Sequence, residues 1–259
     1  MRDIKAFQGY VSEVMRYFFL LENFKLQPYK NTKEPLVVFG CYRPRDYETV
    51  IQHQGEVIVV WMGNDTYHQK TTLAGLNKKN IIHATWLDPI QVFLKKGGLN
   101  CLLLKTPIKE IPYPKPFSKL GDKVYAYVAK GKPRYHGSKV VDSLRIKYPL
   151  LIGDKSIPRN KWYQGASQAF YSQAFVGLVL SIYAGGGMST QEMGVRGIRV
   201  ITNVSSLPNC IPWKTKEDVE RIINDEAKKI GQSNNGLIKE MYDQMVEVKG
   251  CFDLQEMMR

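Results

Sequence analysis

Cysteine and histidine are scarce in this chain: its 259 residues include four of each. No two cysteines form a CxxC pair, and no histidine stands at a metal-like spacing from a cysteine or an acid. A cysteine-based zinc site and the disulfide framework of a small secreted domain are therefore excluded. No Asp-x-Asp metal pair is recognisable either. We predict a cytoplasmic protein with reduced thiols at Cys41, Cys101, Cys210 and Cys251.

A long apolar run is also missing. The most apolar stretch near the amino terminus, residues 17–21, is far shorter than the ~20 residues that span a bilayer. We therefore predict neither a signal peptide nor a transmembrane segment. A content of 44% hydrophobic and 24% charged residues, without repeats or low-complexity tracts, is typical of a globular protein. At this length we expect two domains of about 110 to 130 residues each.

Acidic residues are outnumbered by basic ones. The chain has 37 Lys and Arg against 24 Asp and Glu, a formal net charge of +13, and a sequence pI of about 9.5. Such an excess favours a polyanionic partner, either a nucleic acid or an anionic membrane surface. The alternative is an ordinary basic protein with solvated lysines, because the excess is spread along the chain.

The first half alternates apolar runs with polar, helical segments. Residues 36–39 and 57–61 are near-continuous apolar runs separated by a helical stretch at 45–53, which is the pattern of parallel strands buried on both faces. A strand at 80–84, a helix at 89–96 and a strand at 100–105 continue the alternation. Apolar spacing also predicts an opening amphipathic helix at 10–23. This half is therefore α/β in class.

The second half repeats the alternation after a proline-rich segment at 106–120, where we set the domain boundary. The predicted domains are residues 1–116 and 117–259, with the carboxyl-terminal helix a candidate to pack back on the first domain. Two further helices are expected at 217–230 and 235–248. The remaining predicted strands are 123–128, 150–151, 175–181 and 199–203, and the remaining helices are 138–148, 162–174 and 189–197.

One segment of the second half carries a candidate anion site. The strand at 175–181 is followed by Gly185, Gly186 and Gly187 and then by a helix that we expect Ser189 or Thr190 to cap. Glycines allow the backbone to approach a diphosphate, and backbone N–H groups at a helix start bind anions. Glu192 on that helix is a candidate to accept both hydroxyls of a ribose. The alternative is a flexible loop with Glu192 as a capping-box acid.

Residues 177–181 and 184–203 resemble the donor-binding block of nucleotide-sugar glycosyltransferases with the GT-B fold. The resemblance implies two Rossmann-like α/β domains facing a central cleft, and a UDP-linked sugar as co-substrate with no other cofactor. Ala184 stands eight residues before Glu192, where the family often has a second acid. The resemblance assigns the ribose to Glu192 and the diphosphate to the glycine turn and helix start, at Gly185, Gly186, Gly187, Met188, Ser189 and Thr190.

A weaker resemblance covers the first half. Residues 35–42 and 53–65 are similar to the start of the acceptor domain in small phage, viral and bacterial members of this family. This similarity implies that Tyr42 and Arg43 contact the acceptor. Residues 213–219, before a helix, resemble the sequence that introduces the closing helices of the family.

Two further pairs are candidates for chemistry. Lys130 and Arg134 follow the first strand of the second half, where basic side chains neutralise a diphosphate leaving group in metal-independent transferases. A solvated loop or a nucleic-acid contact is the alternative. Asp65, with His68 as second choice, is a candidate general base for the acceptor hydroxyl. Asp65 is equally suited to cap the segment that follows it.

The sequence therefore predicts a glycosyltransferase without a metal. The charge of +13 favours DNA that carries a hydroxylated pyrimidine as the acceptor, which requires access to the base outside the stack. The alternatives are a surface-glycan or lipid-linked acceptor, and a non-catalytic nucleic-acid-binding protein. A dinucleotide-dependent oxidoreductase is disfavoured, because its glycine turn follows the first strand of a βαβ unit, whereas the glycines of this chain come late in the second half.

Overall fold

The chain divides into two units in a computed structural model, which describes residues 7–12, 26–66, 73–104, 116–128, 134–153, 167–181 and 187–250. One unit comprises Met1–Pro107 with Val246–Arg259, and the other comprises Ile108–Met245. Each unit contains one all-parallel β-sheet. The predicted α/β class with two Rossmann-like sheets is confirmed.

The first sheet has six strands in the order β2-β1-β3-β4-β5-β6. These are β1 (Gln8–Val11), β2 (Gln27–Pro28), β3 (Leu36–Phe39), β4 (Val57–Trp61), β5 (Ile81–Thr85) and β6 (Cys101–Leu103). Helix α1 (Pro44–Gln52) connects β3 to β4, and α2 (Asp88–Lys96) connects β5 to β6. Every side chain of β3 and β4 is buried, which explains their uninterrupted apolar sequences.

The predicted opening helix is wrong at its start. Tyr10 and Val11 belong to β1, where they pair with Val38 and Phe39 of β3. Their apolar character fits the apolar stripe of a helix and a buried strand equally well. The strand forms because its backbone groups pair with a segment 28 residues further along the chain. Residues 13–23 of the predicted helix lie outside the described residues.

The second sheet has five strands in the order β11-β10-β9-β7-β8. They are β7 (Lys123–Tyr127), β8 (Leu150–Gly153), β9 (Ala174–Val179), β10 (Arg199–Thr202) and β11 (Cys210–Pro212). The helices between and after these strands are α3 (Ser138–Leu144), α4 (Ser167–Tyr171), α5 (Met188–Gly194), α6 (Lys216–Ala227) and α7 (Asn235–Gly250). The strands and helices predicted here are present, while β11 was not predicted. Residues 162–166 of the helix predicted at 162–174 lie outside the described residues.

In both sheets, the side on which the chain adds new strands changes after the second strand. From β1 the chain first adds β2 on one side and then returns to build β3, β4, β5 and β6 on the other side. From β7 it adds β8 on one side and then β9, β10 and β11 on the other. The connections that leave β1 and β3 therefore run to opposite sides of the first sheet, and those that leave β7 and β9 run to opposite sides of the second. In such sheets ligands bind at the carboxyl ends of those strands. These switch points lie between β1 and β3 and between β7 and β9.

Candidate functional site

The switch point of the second sheet is bounded by the segments that follow β7 and β9. Those segments touch at Gly137 and Leu180. Gly137 precedes α3 with φ of +69°, and a Cβ built on it would lie 2.7 Å from the Cβ of Leu180. Only glycine satisfies both the left-handed backbone and this close approach. The ring of His136 meets that of Tyr127 edge-on at 5.1 Å, so the turn Arg134–His136 lies beside the end of β7.

Helix α5 follows β9 and packs tightly on it. A Cβ on Gly177 of β9 would lie 2.5 Å from the sulfur of Met193, so this glycine makes room for the helix. The helix begins after Gly187, which serves as N-cap with no side-chain cap bond. The prediction that Ser189 or Thr190 caps the helix is therefore wrong: the carbonyl of Gly187 accepts the N–H groups of Thr190 and Gln191 at 3.0 and 3.2 Å.

The fold itself does not demand a glycine at position 187. Its φ of −71° and ψ of −177° are extended values that any residue adopts. A Cβ built there meets no atom within 4 Å, and the residue is exposed. A substitution at Gly187 is therefore a clean probe of whether a ligand approaches the backbone at this position.

The other predicted donor residues differ in accessibility. Ser189 is half-buried, Thr190 is buried and Arg134 is exposed. Gly185, Gly186 and Lys130 lie outside the described residues, as does the side chain of Met188. Of the predicted phosphate contacts, Gly187, Ser189 and Arg134 are thus the described residues that a ligand in solution can reach most directly.

Two buried hydroxyls lie at the same edge of this sheet. Ser181 follows the end of β9, and Thr202 ends β10, where it pairs with Val179. Neither hydroxyl has a hydrogen-bond partner among the described residues. Two polar side chains therefore lie at the carboxyl ends of the neighbouring strands β9 and β10.

Glu192 lies in the second turn of α5, as the fifth helical residue. It is buried, with 4% of its surface exposed. The phenol of Tyr171, the last residue of α4, donates a hydrogen bond to its Oε2 at 3.1 Å. Burial, followed by the charges of Tyr125 and Glu192, raises the pKa of Tyr171, so this phenol remains a protonated donor.

A buried arginine completes the surroundings of Glu192. Arg196 donates from Nη1 to the backbone carbonyl of Glu192 at 2.7 Å and from Nε to the Oε1 of Gln168 at 3.1 Å. Its guanidinium lies 5.2 Å from the ring centre of Tyr171 and 6.0 Å from that of Phe117. Burial lowers the pKa of Arg196, while the charge of Glu192 opposes that shift. Helices α4 and α5 are therefore joined by one polar cluster.

At the switch point of the first sheet, Asp46 joins the ends of β1 and β3. Its carboxylate accepts hydrogen bonds from the hydroxyls of Tyr10 and Ser12 at 2.6 and 2.7 Å. It also accepts the backbone N–H groups of Tyr42 and Arg43 at 2.8 and 2.9 Å. The two residues predicted to contact the acceptor therefore follow β3 at the switch point, with their backbone held by Asp46.

Asp65 has a similar role between β3 and β4. Its Oδ2 accepts the N–H groups of Cys41 and Met62, both at 3.1 Å, and the side chain is fully buried. Burial raises the pKa of Asp65 to about 6, against the lowering effect of these backbone bonds. Burial and the charge of Asp65 likewise raise the pKa of the Cys41 thiol. His68, the other predicted base, lies outside the described residues.

The described histidines and cysteines have structural surroundings. The Nδ1 of His83 accepts the indole N–H of Trp61 at 3.1 Å, and burial lowers the pKa of His83 to about 4. Within the described residues, Cys41, Cys101 and Cys210 form no disulfide bond. Within the described part of the chain, no three His, Cys, Asp or Glu side chains are grouped closely enough to hold a metal ion. None of the described helices is both long enough and apolar enough to cross a membrane.

No protein-family model matches this sequence, and no curated protein sequence matches it. Among solved structures, sucrose-phosphate synthase from Thermosynechococcus elongatus is 15% identical with a TM-score of 0.48, over 94% of this chain and 74% of that one. A mutant of S. aureus TarM in complex with fondaparinux, alpha-GlcNAc-glycerol and UDP is 10% identical with a TM-score of 0.47, over 86% of this chain and 54% of that one. At these TM-scores the similarity assigns no activity to this chain.

Several residues of these sites were not predicted. Tyr171, Arg196 and Gln168 surround Glu192, and Asp46 holds the loop after β3. The sequence offered a signal only for Asp46, which is the third residue of α1 and suits the acid of a capping box. The contact of Tyr171 with Glu192 joins residues 21 positions apart and has no local signature.

Proposed function

We propose that this chain is a glycosyltransferase that moves a sugar from a nucleotide diphosphate sugar to a hydroxyl acceptor. The observation that carries the proposal is the position of residues 175–203. This segment resembles a donor-binding block, and its strand β9 ends at the switch point of the second sheet. Ligands of open α/β sheets bind at such points. A nucleic-acid-binding module has no need of this combination.

In this proposal each candidate residue has a separate role. The backbone at Gly185, Gly186 and Gly187 approaches the diphosphate, and the side chains of Ser189 and Thr190 add hydroxyl donors. Glu192 accepts the hydroxyls of the ribose. Lys130 and Arg134 follow β7 on the other side of the switch point and neutralise the leaving diphosphate in place of a metal ion. A UDP-linked sugar is the donor we expect.

Calorimetry with UDP and uridine tests the donor site. We expect the intact protein to bind UDP. Arg134→Ala should weaken the binding of UDP but not of uridine, whereas Glu192→Ala should weaken both because it removes a ribose contact. Gly187→Ala should weaken UDP without changing the melting temperature, because its Cβ meets no protein atom. Gly236→Ala on α7, with equally open space, is the matched control. An intact protein that binds no nucleotide refutes the proposal.

The acceptor side belongs to the first unit in this proposal. Tyr42 and Arg43 contact the acceptor, and Asp65 or His68 accepts its proton. The pKa of Asp65, about 6, suits a general base, but a base must also reach the acceptor and this carboxylate is fully buried. Transfer rates of Asp65→Asn and His68→Ala distinguish the two candidate bases. Loss of the true base should lower kcat by a larger factor than it changes KM. Full transfer in excess EDTA is expected if no metal takes part.

For the acceptor itself we propose a hydroxylated pyrimidine in DNA, on the basis of the net charge of +13. A cytoplasmic location fits such a substrate. Incubation with a panel of nucleotide sugars and either hydroxymethylated DNA or cell glycans, read as a gain in mass, tests this choice. A gain confined to glycans or lipid-linked saccharides refutes the DNA acceptor and leaves the transferase intact. Binding to DNA without transfer to any acceptor favours a non-catalytic nucleic-acid-binding protein.

A further inference from the structure

The carboxylate of Glu192 accepts a hydrogen bond from the phenol of Tyr171. A glutamate side chain ends in a torsion that is broad and roughly two-fold, so the plane of its carboxylate is fixed only by its partners. The hydroxyl of Tyr171 reaches Oε2 at 3.1 Å inside the core, where both residues are buried. Tyr171 therefore restrains the direction in which Oε2 of Glu192 points.

Tyr171 is itself held firmly from two sides. The guanidinium of Arg196 lies 5.2 Å from its ring centre, while Tyr125 meets the ring edge-on at a centroid distance of 5.2 Å. Arg196 also binds the backbone carbonyl of Glu192 at 2.7 Å. The phenol and the helix turn that carries Glu192 are thus positioned by the same guanidinium, which limits the movement of one against the other.

We propose that Tyr171 is a positioning residue that orients Glu192 to read the 2′-hydroxyl of the nucleotide, so that the site selects ribonucleotide over deoxyribonucleotide donors. This inference rests on the proposed donor site. A carboxylate held in one plane accepts a ribose hydroxyl at a defined place, and a hydrogen bond to a charged group discriminates strongly against a ligand that lacks the hydroxyl.

The test compares the dissociation constants of UDP and 2′-deoxy-UDP. For the wild-type protein we expect UDP to bind roughly tenfold to a hundredfold more tightly, the range for a hydrogen bond to a charged group. Tyr171→Phe removes only the hydroxyl, and it should reduce this ratio at least about threefold through weaker UDP binding, with little change for 2′-deoxy-UDP. Tyr125→Phe is the matched control, because it alters the packing against Tyr171 without removing the donor to Glu192.

Each outcome has a distinct meaning. A wild-type protein that binds neither nucleotide refutes the proposed function, and the inference with it. Equal binding of both nucleotides by the wild-type protein leaves the donor site standing and overturns the reading of ribose by Glu192. An unchanged ratio in Tyr171→Phe, or an equal loss for both nucleotides, overturns the positioning role alone and makes the tyrosine a packing residue.

Glu192→Gln keeps the inference testable if Tyr171→Phe does not fold, as judged by circular dichroism. This variant retains the shape of the side chain and removes its charge. We expect its ratio of affinities to approach one. A ratio that stays at the wild-type value shows that the carboxylate does not read the hydroxyl, and this overturns the inference.

Discussion

The titration of Asp65 should make the stability of the first unit depend on pH in an unusual direction. Burial raises the pKa of this carboxyl from 3.8 to about 6 in the folded protein, whereas the unfolded chain has a value near 3.9. Between these values the folded state holds a proton that the unfolded state releases. The stabilisation that comes from this bound proton is therefore fully present below about pH 4 and is lost as the pH rises through 6.

The size of this effect follows from the difference in pKa. A difference of about 2 units at 1.36 kcal/mol per unit corresponds to about 3 kcal/mol over the whole titration. About 2 kcal/mol of this falls between pH 4 and pH 7, because the unfolded chain is already about half ionised at pH 4. Asp65→Asn has no titrating group at this position and lacks the effect. The free energy of unfolding of the wild-type protein, minus that of the variant, should therefore fall by about 2 kcal/mol between pH 4 and pH 7.

Urea unfolding at several pH values measures this difference. Replacing Trp162 and Trp213 by phenylalanine in both proteins leaves Trp61 and Trp86 of the four tryptophans, so that fluorescence reports the first unit. Tyr47→Phe is the control. It removes a hydroxyl that donates to the backbone oxygen of Asp65 at 3.2 Å, and it should cost about 1 kcal/mol at every pH.

A difference between wild type and Asp65→Asn that stays constant from pH 4 to pH 7 refutes this reasoning. Such a result means that the N–H groups of Cys41 and Met62 stabilise the ionised carboxylate enough to outweigh its burial. The carboxylate is then a charged clamp between β3 and β4 at all pH values in the range, and its pKa lies no higher than that of the unfolded chain.

Three further predictions concern stability and are read by chemical denaturation. Gly121→Ala should cost about 3 kcal/mol, because its Cβ would overlap the backbone that enters β9, whereas Gly236→Ala has open space and should cost nothing comparable. Asp46→Ala should cost roughly 3 to 5 kcal/mol because it leaves four donors without their acceptor, and Tyr10→Phe only about 1 kcal/mol. Thr215→Ala should cost about 1 kcal/mol by removing the N-cap of α6. Equal losses for either matched pair, or no loss for Thr215→Ala, contradict these assignments.

The central strands and most helices follow from local sequence patterns. Residues 36–39 and 57–61 were predicted as strands with the bounds that β3 and β4 have, because strands covered on both faces need apolar side chains at every position. Strand β9 and helix α5 were likewise predicted, while residues 182–186 between them lie outside the described residues. Strand β1 was missed, because its four residues are too few to show a period that distinguishes strand from helix and its pairing with β3 is non-local.

The sequence by itself thus determined the α/β class, the order of the central elements and the helix that carries Glu192, since each depends on residues within one segment. Only the tertiary structure decided that Asp46 and Asp65 hold the strand ends, and that Tyr171 bonds Glu192. These features join segments that are distant in sequence. They depend on how helices and strands pack side by side, and no local pattern of residues specifies which distant residues come into contact.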